Sequence, residues 1–552
     1  MNNELPAKSI QVLTQQWGLI LALLTFIGWG SLLLYAHLKR NTGFQFTDLE
    51  LAALALGGWP LPALLISFPV LFLSAFLPAG ILVGITAVIL LTSGGIALRA
   101  IWKGNSPWAL VPVSIFLVLA FLRLGLVADV IMPMYFDSAE HYRIIRELLD
   151  SAWPTASYYH LGYHVIIAAF VRISAADPAS VMLIFGQLIL AALPLPIFFL
   201  LYRATFSKSA ALLGVIFAAF GWFMPAHAVN WGKYPALLSL LLLQFTLGTL
   251  LIKKNWMPAV AALAATVIHT RSVILLALFG AAWILANLWE GQPHPRRRLI
   301  LAVVATMLGM LTLIIYRNPI LGPILEPYAT LITLLSALLA ASVFKAFSHP
   351  IMVSLLIILL ILTAIFIPVS SSLTLLDRPL AEMILFLPLA FIGGLGGARP
   401  LKFIAPALAA LIILNAWMNI SFGPSKCCQL VSRDDATALD WVGRHYKKDS
   451  VIAIAGVNLN INAFGRPMRG AGIDAGIWIN PLTGIQTVPF PNSTNFASPE
   501  AHDQLCSNGI THIYVGARPQ SFASDFAELV PEWYETTFSL PKAHIVKVLN
   551  CK

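Results

Sequence analysis

Charged side chains are scarce in this chain of 552 residues: only 11% of the residues are Asp, Glu, Lys or Arg, whereas 59% are hydrophobic. The mean hydropathy of +0.83 is too high for a soluble globular protein, so that class is excluded. Apolar runs of about 20 residues, enough to cross the roughly 30 Å hydrocarbon core of a bilayer, recur from Gln16 to Ile420. We therefore expect an α-helical polytopic membrane protein.

Nucleotide-binding motifs are absent, since the sequence contains neither a Walker loop nor a dinucleotide-type glycine fingerprint. A nucleotide-linked substrate used from the cytosol thus has no visible site. The net charge of +10 does not indicate a nucleic-acid partner either. Residues 1–420 hold 23 basic and 13 acidic side chains, whereas residues 421–552 hold 11 of each. We attribute the basic excess of the apolar part to the topology of its loops.

Cysteine is rare, and all four cysteines lie in residues 421–552, which suits an oxidising exterior. We favour a bond between Cys506 and Cys551, because a bond between the neighbours Cys427 and Cys428 would be strained. Four free thiols are the alternative. The first apolar run has no small-residue cleavage site and is followed by Lys39-Arg40, so it predicts a membrane anchor rather than a signal peptide.

The sequence predicts a transmembrane domain, residues 1–420, and a small soluble α/β domain, residues 421–552, called the soluble domain below. In the second domain, "SVIAIAG" and "THIYVG" are typical of buried strands bounded by glycine, and the chain ends in the strand-like "AHIVKVL". The segment "ATALDWVGRHY" predicts a helix with apolar positions at Ala438, Leu439 and Val442. Alternating strands and helices favour an α/β fold.

Basic clusters fix the orientation, because cytoplasmic loops collect Lys and Arg. All clusters from Lys39-Arg40 to Lys402 can be cytoplasmic if the short segment 161–174 does not cross. This arrangement predicts a multi-pass protein of the cell membrane, with both termini and the soluble domain on the exterior face. The predicted spans number about fourteen: 17–38, 50–75, 79–98, 109–128, 178–202, 209–226, 234–252, 256–271, 273–290, 299–316, 324–345, 350–369, 380–398 and 402–420.

Residues 129–160 then form the first substantial exterior loop, which contains the polar stretch "MPMYFDSAEHYRIIRELL". This stretch predicts a helix with Asp137, Glu140 and His141 on one face, at i, i+3 and i+4. Carboxylates near the membrane surface can act as a general base or bind a divalent cation. We therefore predict catalytic roles for Asp137 and Glu140, and leave the need for a divalent cation open. A solvated loop helix is the alternative.

The first exterior loop and the segment that follows it resemble a known family. An Asp just after a transmembrane helix, an exterior loop with amphipathic helices and the stretch "YHLGYH" that starts the next apolar helix resemble the glycosyltransferase-C superfamily. Its members include oligosaccharyltransferases, protein O-mannosyltransferases and aminoarabinose transferases. "NWGKYPALLSLLLL" and "DDATALDWV" are similar to segments of prokaryotic members, whereas three additional helices before the first loop depart from the family pattern. The resemblance implies that Asp137 is the catalytic acid group.

The family's donor is a sugar on a polyprenyl phosphate or diphosphate, so the resemblance implies cations at the outer membrane boundary. Lys233 in "NWGKYP", His269 and Arg271 in "HTRS" and Arg378 in "LLDRP" match this need. Basic residues that merely flank helices at the interface are the alternative.

Five more residues complete the predicted substrate-binding set: His141, His160, His164, Tyr234 and Asp474. Asp474 lies in "DAGIWINPLTG", where it could touch a glycan, whereas core packing is the expected role of Trp478.

Together these features predict a membrane glycosyltransferase. It would transfer a sugar from a polyprenyl-phosphate-linked donor in the membrane lipid to a glycan, lipid or protein acceptor on the exterior face. A transporter or flippase of lipid-linked glycans is the alternative from another class, but it should bury ionisable residues in mid-helix and show related halves. A non-enzymatic scaffold would leave the outer basic residues unexplained.

Overall fold

The computed structural model describes most of the first half of the chain and most of its soluble domain. Apart from a few isolated residues, the described ranges are 4–42, 46–102, 106–150, 160–205, 208–221, 229–250, 256–270, 426–457 and 471–551. The predicted spans between 273 and 420 lie outside these ranges.

The amino-terminal half is built from helices. Their bounds are α1 (Leu5–Thr42), α2 (Asp48–Gly58), α3 (Pro60–Ser74), α4 (Ala79–Trp102), α5 (Leu110–Leu126), α6 (Tyr135–Leu149), α7 (Gly162–Ser174), α8 (Pro178–Ala192), α9 (Leu195–Thr205), α10 (Lys208–Ile216), α11 (Tyr234–Leu250) and α12 (Met257–Ile268). Local signals explain several boundaries. Thr47 and Glu50 form a capping box at the start of α2, and Asp177 caps α8 by accepting from the backbone N–H of Ser180.

Within the described ranges, five helical segments are long and apolar enough to cross a membrane, which suggests membrane association. They are Leu5–Thr42, Asp48–Ser74, Ala79–Arg99, Pro107–Leu126 and Pro178–Arg203. Each coincides with a predicted span, although α1 begins twelve residues before the predicted 17–38. The segment at 50–75 is two helices, since the chain starts a new helix at Pro60.

Among the described residues, the helices bring several of the predicted exterior segments to one end of the bundle, called the α6 end below. The start of α1 and the end of α5 meet there, because Lys8 forms an ion pair with Asp129 just beyond α5. The turn before α11 and the end of α12 also reach this end, where they contact α6 and His160 respectively. The opposite end holds Lys39, which binds Asp48 at the start of α2.

Helix α7 lies alongside α6. Near its start His164 contacts His141, and near its end Arg172 donates to the carbonyl of Leu149, the last residue of α6. Most of α7 is buried, although it has only 13 residues. Both ends of α7 therefore lie beside α6.

The soluble domain contains one mixed sheet, as the α/β prediction requires. Its elements are α13 (Arg433–His445), β1 (Val451–Val457), β2 (Ala471–Gly472), α14 (Ile479–Thr483), β3 (Gln486–Pro491), α15 (Pro499–Ser507), β4 (His512–Val515), α16 (Phe526–Leu529), β5 (Tyr534–Ser539) and β6 (His544–Val548). Strand β1 runs parallel to β3 and β4 and antiparallel to the short β2, while β6 pairs antiparallel with β4 and β5. Ala438, Leu439 and Val442 of α13 are buried, which confirms the helix prediction.

Cys506 at the end of α15 is joined to Cys551 beyond β6, which confirms the favoured pairing over four free thiols. The bond closes a segment of 45 residues that contains three of the strands, β4, β5 and β6. Cys428 is a buried free thiol.

We predict that Cys551→Ser destabilises the protein by roughly 4 kcal/mol, because a crosslink across 45 residues restricts the unfolded chain. Thermal unfolding of the full-length protein with and without dithiothreitol measures this effect. The reductant should lower the melting temperature of the wild-type protein and leave that of Cys551→Ser unchanged. Equal sensitivity of both proteins to the reductant would contradict the prediction.

Candidate functional site

The centre of the candidate site is an ion pair between α6 and the turn before α11. Lys233 Nζ lies 2.5 Å from Asp137 Oδ2. The two side chains are only 23% and 18% exposed, so each remains reachable from solvent. Tyr135, two residues before Asp137, has a positive φ of 67°, a conformation that a bulky residue rarely adopts and that often marks a functional segment.

Gly232 allows this close approach. Its φ is +68°, and a Cβ atom on it would lie 2.7 Å from Ser138 Oγ and 3.0 Å from Asp137 Cβ. The turn is closed by a hydrogen bond of 3.0 Å from the N–H of Gly232 to the carbonyl of Val229. Only glycine fits both the backbone conformation and the space. The turn can therefore press directly against α6 and deliver the neighbouring lysine to Asp137.

His141 holds the same turn in place through a hydrogen bond. It is 1% exposed, and its Nε2 donates to the carbonyl of Gly232 at 2.9 Å. Because a carbonyl only accepts, the proton of the neutral ring lies on Nε2, and Nδ1 accepts from His164 Nε2 at 2.9 Å. Burial, together with electrostatic repulsion from His160 and Lys233, lowers the pKa of His141 to about 3.

A second histidine contact adjoins the first. The rings of His160 and His269 lie 4.2 Å apart between centroids, and the backbone of His160 contacts His164. Gly162 permits this approach of α7 to α12, since a Cβ there would lie 2.9 Å from the backbone of Ile268. Four predicted histidines thus converge at the α6 end.

Buried aromatic side chains lie beside the site, toward the interior of the helix bundle. The ring of Tyr234 stacks on Tyr163 with centroids 6.0 Å apart, and both side chains are fully buried. Tyr234 also packs against Gly186 of α8. Sequence reasoning missed Tyr163, Gly232 and Ser138, although a glycine just before a predicted helix in "NWGKYP" was a visible signal of a tight turn.

Glu140 binds a different partner from Asp137, although both belong to α6. Its carboxylate is exposed and bound by Arg143, with Nε 2.9 Å from Oε2. Within the part of the chain that the structure describes, Asp137, Glu140 and His141 do not converge as three metal donors. The one such group there is His502 with Cys506 and Cys551, whose two sulfur atoms are bonded to each other.

Asp474 has a structural role, which corrects the expectation of a glycan contact. It is fully buried, accepting from the backbone N–H of Gly476 at 2.9 Å and from Ser521 Oγ at 2.5 Å. Burial raises its pKa to about 7. An accessible carboxylate is needed to bind a sugar, whereas this one shapes the turn that leads to Trp478.

The soluble domain contacts α6 through that turn. Trp478 is fully buried, as its predicted core role requires, and its ring meets Tyr142 edge-on with centroids 5.6 Å apart. Tyr142 follows His141 on α6, so the domain packs against the helix that carries the candidate site. Arg271 and Arg378, the two remaining predicted residues, lie outside the described ranges.

No protein-family model matches the chain, and no curated protein matches it.

We predict that acid destabilises the protein through His141. Its unfolded pKa is about 6.5 and its folded pKa about 3, so below pH 6.5 the unfolded chain binds a proton that the folded site excludes. The contribution of His141 to the free energy of unfolding is fully present above pH 6.5. At pH 5 this contribution should have fallen by about 2 kcal/mol. Thermal unfolding at pH 7.5 and pH 5 measures the loss.

In the variant His141→Gln, which keeps an amide donor for Gly232, the acid-induced loss should shrink by that amount. The exposed His445→Gln is the matched control and should behave as the wild type. Asp474 also has a shifted pKa, but it is present in all three proteins, so its contribution to the acid response cancels in the comparison. An identical acid response in His141→Gln and the wild type would refute the role of this histidine.

Proposed function

We propose that this chain is a membrane glycosyltransferase that transfers a sugar from a polyprenyl-phosphate carrier to an acceptor on the exterior face. The observation that carries the proposal is the partly exposed Asp137 carboxylate held against Lys233. One group can accept a proton and the other can bind a phosphate, and they lie side by side at the end of a bundle of apolar helices.

The position of the pair suits a lipid-linked donor. Asp137 belongs to the short helix α6, beside the end of α5, one of the segments apolar enough to span a bilayer. A carrier lipid beside such helices presents its sugar–phosphate bond at the level where the apolar segment ends. The donor would therefore reach Asp137 from the membrane and the acceptor from the side of the soluble domain.

The proposed reaction uses both charges. Asp137 accepts the proton of the acceptor hydroxyl as that oxygen bonds to the anomeric carbon of the sugar. The bond from that carbon to the phosphate oxygen breaks, and its electron pair leaves with the carrier phosphate. Lys233 then stabilises the negative charge on the departing phosphate. The neutral His141 and His164 hold the turn and carry no charge of their own.

We predict that Asp137→Asn lowers the rate of transfer at least about a hundredfold, because the amide cannot accept the proton. Membranes from cells that lack the wild-type chain and express the variant provide the assay, with glycan products and lipid-linked sugars measured by mass spectrometry. Glu140→Gln is the matched control on the same helix. It should transfer sugar at a rate near that of the wild type, because Glu140 is exposed and bound to Arg143.

The same cells separate transfer from transport. A transferase defect leaves the lipid-linked sugar on the exterior face, where membrane-impermeant periodate oxidises it. A flippase defect leaves it protected inside. Accumulation of protected lipid-linked sugar in Asp137→Asn cells would replace the proposal with the transport function. Normal transfer by this variant would contradict the catalytic role of Asp137.

The orientation is tested separately. We expect a cysteine at the exposed Glu528 to react with a membrane-impermeant maleimide in intact cells, whereas one at the exposed Arg40 reacts only after permeabilisation. Cys427 and Cys428 are replaced by serine in both proteins. The reverse labelling pattern would place the soluble domain and Asp137 in the cytoplasm, where an exterior transfer is impossible.

A further inference from the structure

A cavity of about 640 Å³ lies at the end of the bundle opposite to Asp137, between α2, α5, α9 and α10. Its lining is largely apolar and includes Ile115, Phe198, Leu212 and Val215. This volume is typical of sites that enclose a small molecule. The cavity shares no residue with the Asp137 site.

Four charged side chains also line the cavity, and two of them are carboxylates that the protein already engages. Asp48 accepts from Lys39 Nζ at 3.0 Å, from Tyr35 Oη at 2.8 Å and from the backbone N–H of Ser106 at 2.7 Å. These three donors neutralise and hold its carboxylate, so it offers little to a cationic ligand.

The second carboxylate, Glu50, is 1% exposed. Its Oε2 accepts from the backbone and the hydroxyl of Thr47 at 2.8 and 2.7 Å, and Arg203 Nε lies 2.6 Å from Oε1. Lys208, in contrast, is exposed, and no acidic group in the described part of the chain forms an ion pair with it. The charge that the cavity presents to a ligand is therefore positive.

We propose that this cavity binds an anionic amphiphile: a phosphate monoester carried on a single hydrocarbon chain. The phosphate binds Lys208, and the chain lies against Phe198 and Val215. The choice of an anion rests on Lys208, because the other three charged side chains of the lining belong to the ion pairs Lys39–Asp48 and Arg203–Glu50. The inference does not depend on the proposed function.

Dodecyl phosphate is the probe, and native mass spectrometry of the purified full-length protein counts bound molecules across a titration. All proteins carry Lys233→Gln, which removes the cation of the Asp137 site. Lys208→Gln should weaken binding at least about tenfold, because one charge-assisted contact is lost. Val215→Phe should weaken it similarly by filling the apolar part.

Two matched controls should bind as the parent protein does. Arg99→Gln removes an exposed basic residue in the last turn of α4, and Leu263→Phe enlarges a side chain on α12 that is 65% exposed. Dodecanol and dodecyltrimethylammonium should bind more weakly than the phosphate, and dodecanoate tests whether a carboxylate serves as well.

Each outcome decides the inference. Unchanged binding in Lys208→Gln, or tight binding of dodecyltrimethylammonium, would overturn it, and dodecanoate that binds as tightly as the phosphate would overturn the choice of a phosphate. Loss of all binding on introducing Lys233→Gln would place the probe at the Asp137 site and overturn the inference while leaving the proposed function intact. Binding that survives Lys233→Gln and falls in both cavity variants supports it, whatever Asp137→Asn does to sugar transfer.

Discussion

The hydrogen bond from His141 to the carbonyl of Gly232 is the interaction on which the candidate site depends. It joins two segments that are 91 residues apart, and it lies where water cannot replace it. A buried carbonyl without a donor would cost free energy, so the turn stays against α6. Lys233 is the next residue along, and its position beside Asp137 follows from the position of the turn.

Burial in an apolar bundle also explains where the charges lie. A charge among apolar helices is costly unless it is paired and hydrogen-bonded, and the described helices place ion pairs at both ends. Asp137 with Lys233 remains partly exposed, whereas Glu50 with Arg203 has its carboxylate at 1% exposure. The first pair can exchange partners with a ligand. The second pair is buried and cannot exchange partners with a ligand. Lys208 therefore determines the charge of the neighbouring cavity.

The contact between Trp478 and Tyr142 links the two domains at the helix that bears Asp137. Trp478 belongs to a turn whose shape depends on the buried Asp474, a residue that sequence reasoning assigned to sugar binding. Its neighbours explain the difference. A carboxylate with Ser521 and a backbone N–H as partners is satisfied inside the protein, and nothing in the local pattern "DAGIWINPLTG" reveals a partner 47 residues away.

The sequence by itself determined the apolar helical half, the α/β domain and the helix at Asp137, because hydrophobic runs and alternation are local signals. It favoured the pairing of Cys506 with Cys551 but left four free thiols open, and only the tertiary structure decided between them. Which polar residues share a site was decided only by the tertiary structure. Asp137 and Glu140 are three residues apart, yet Arg143 draws Glu140 outward while Lys233, 96 residues away, binds Asp137. A helix face gives the direction of a side chain, but its partner is set by the packing of distant segments.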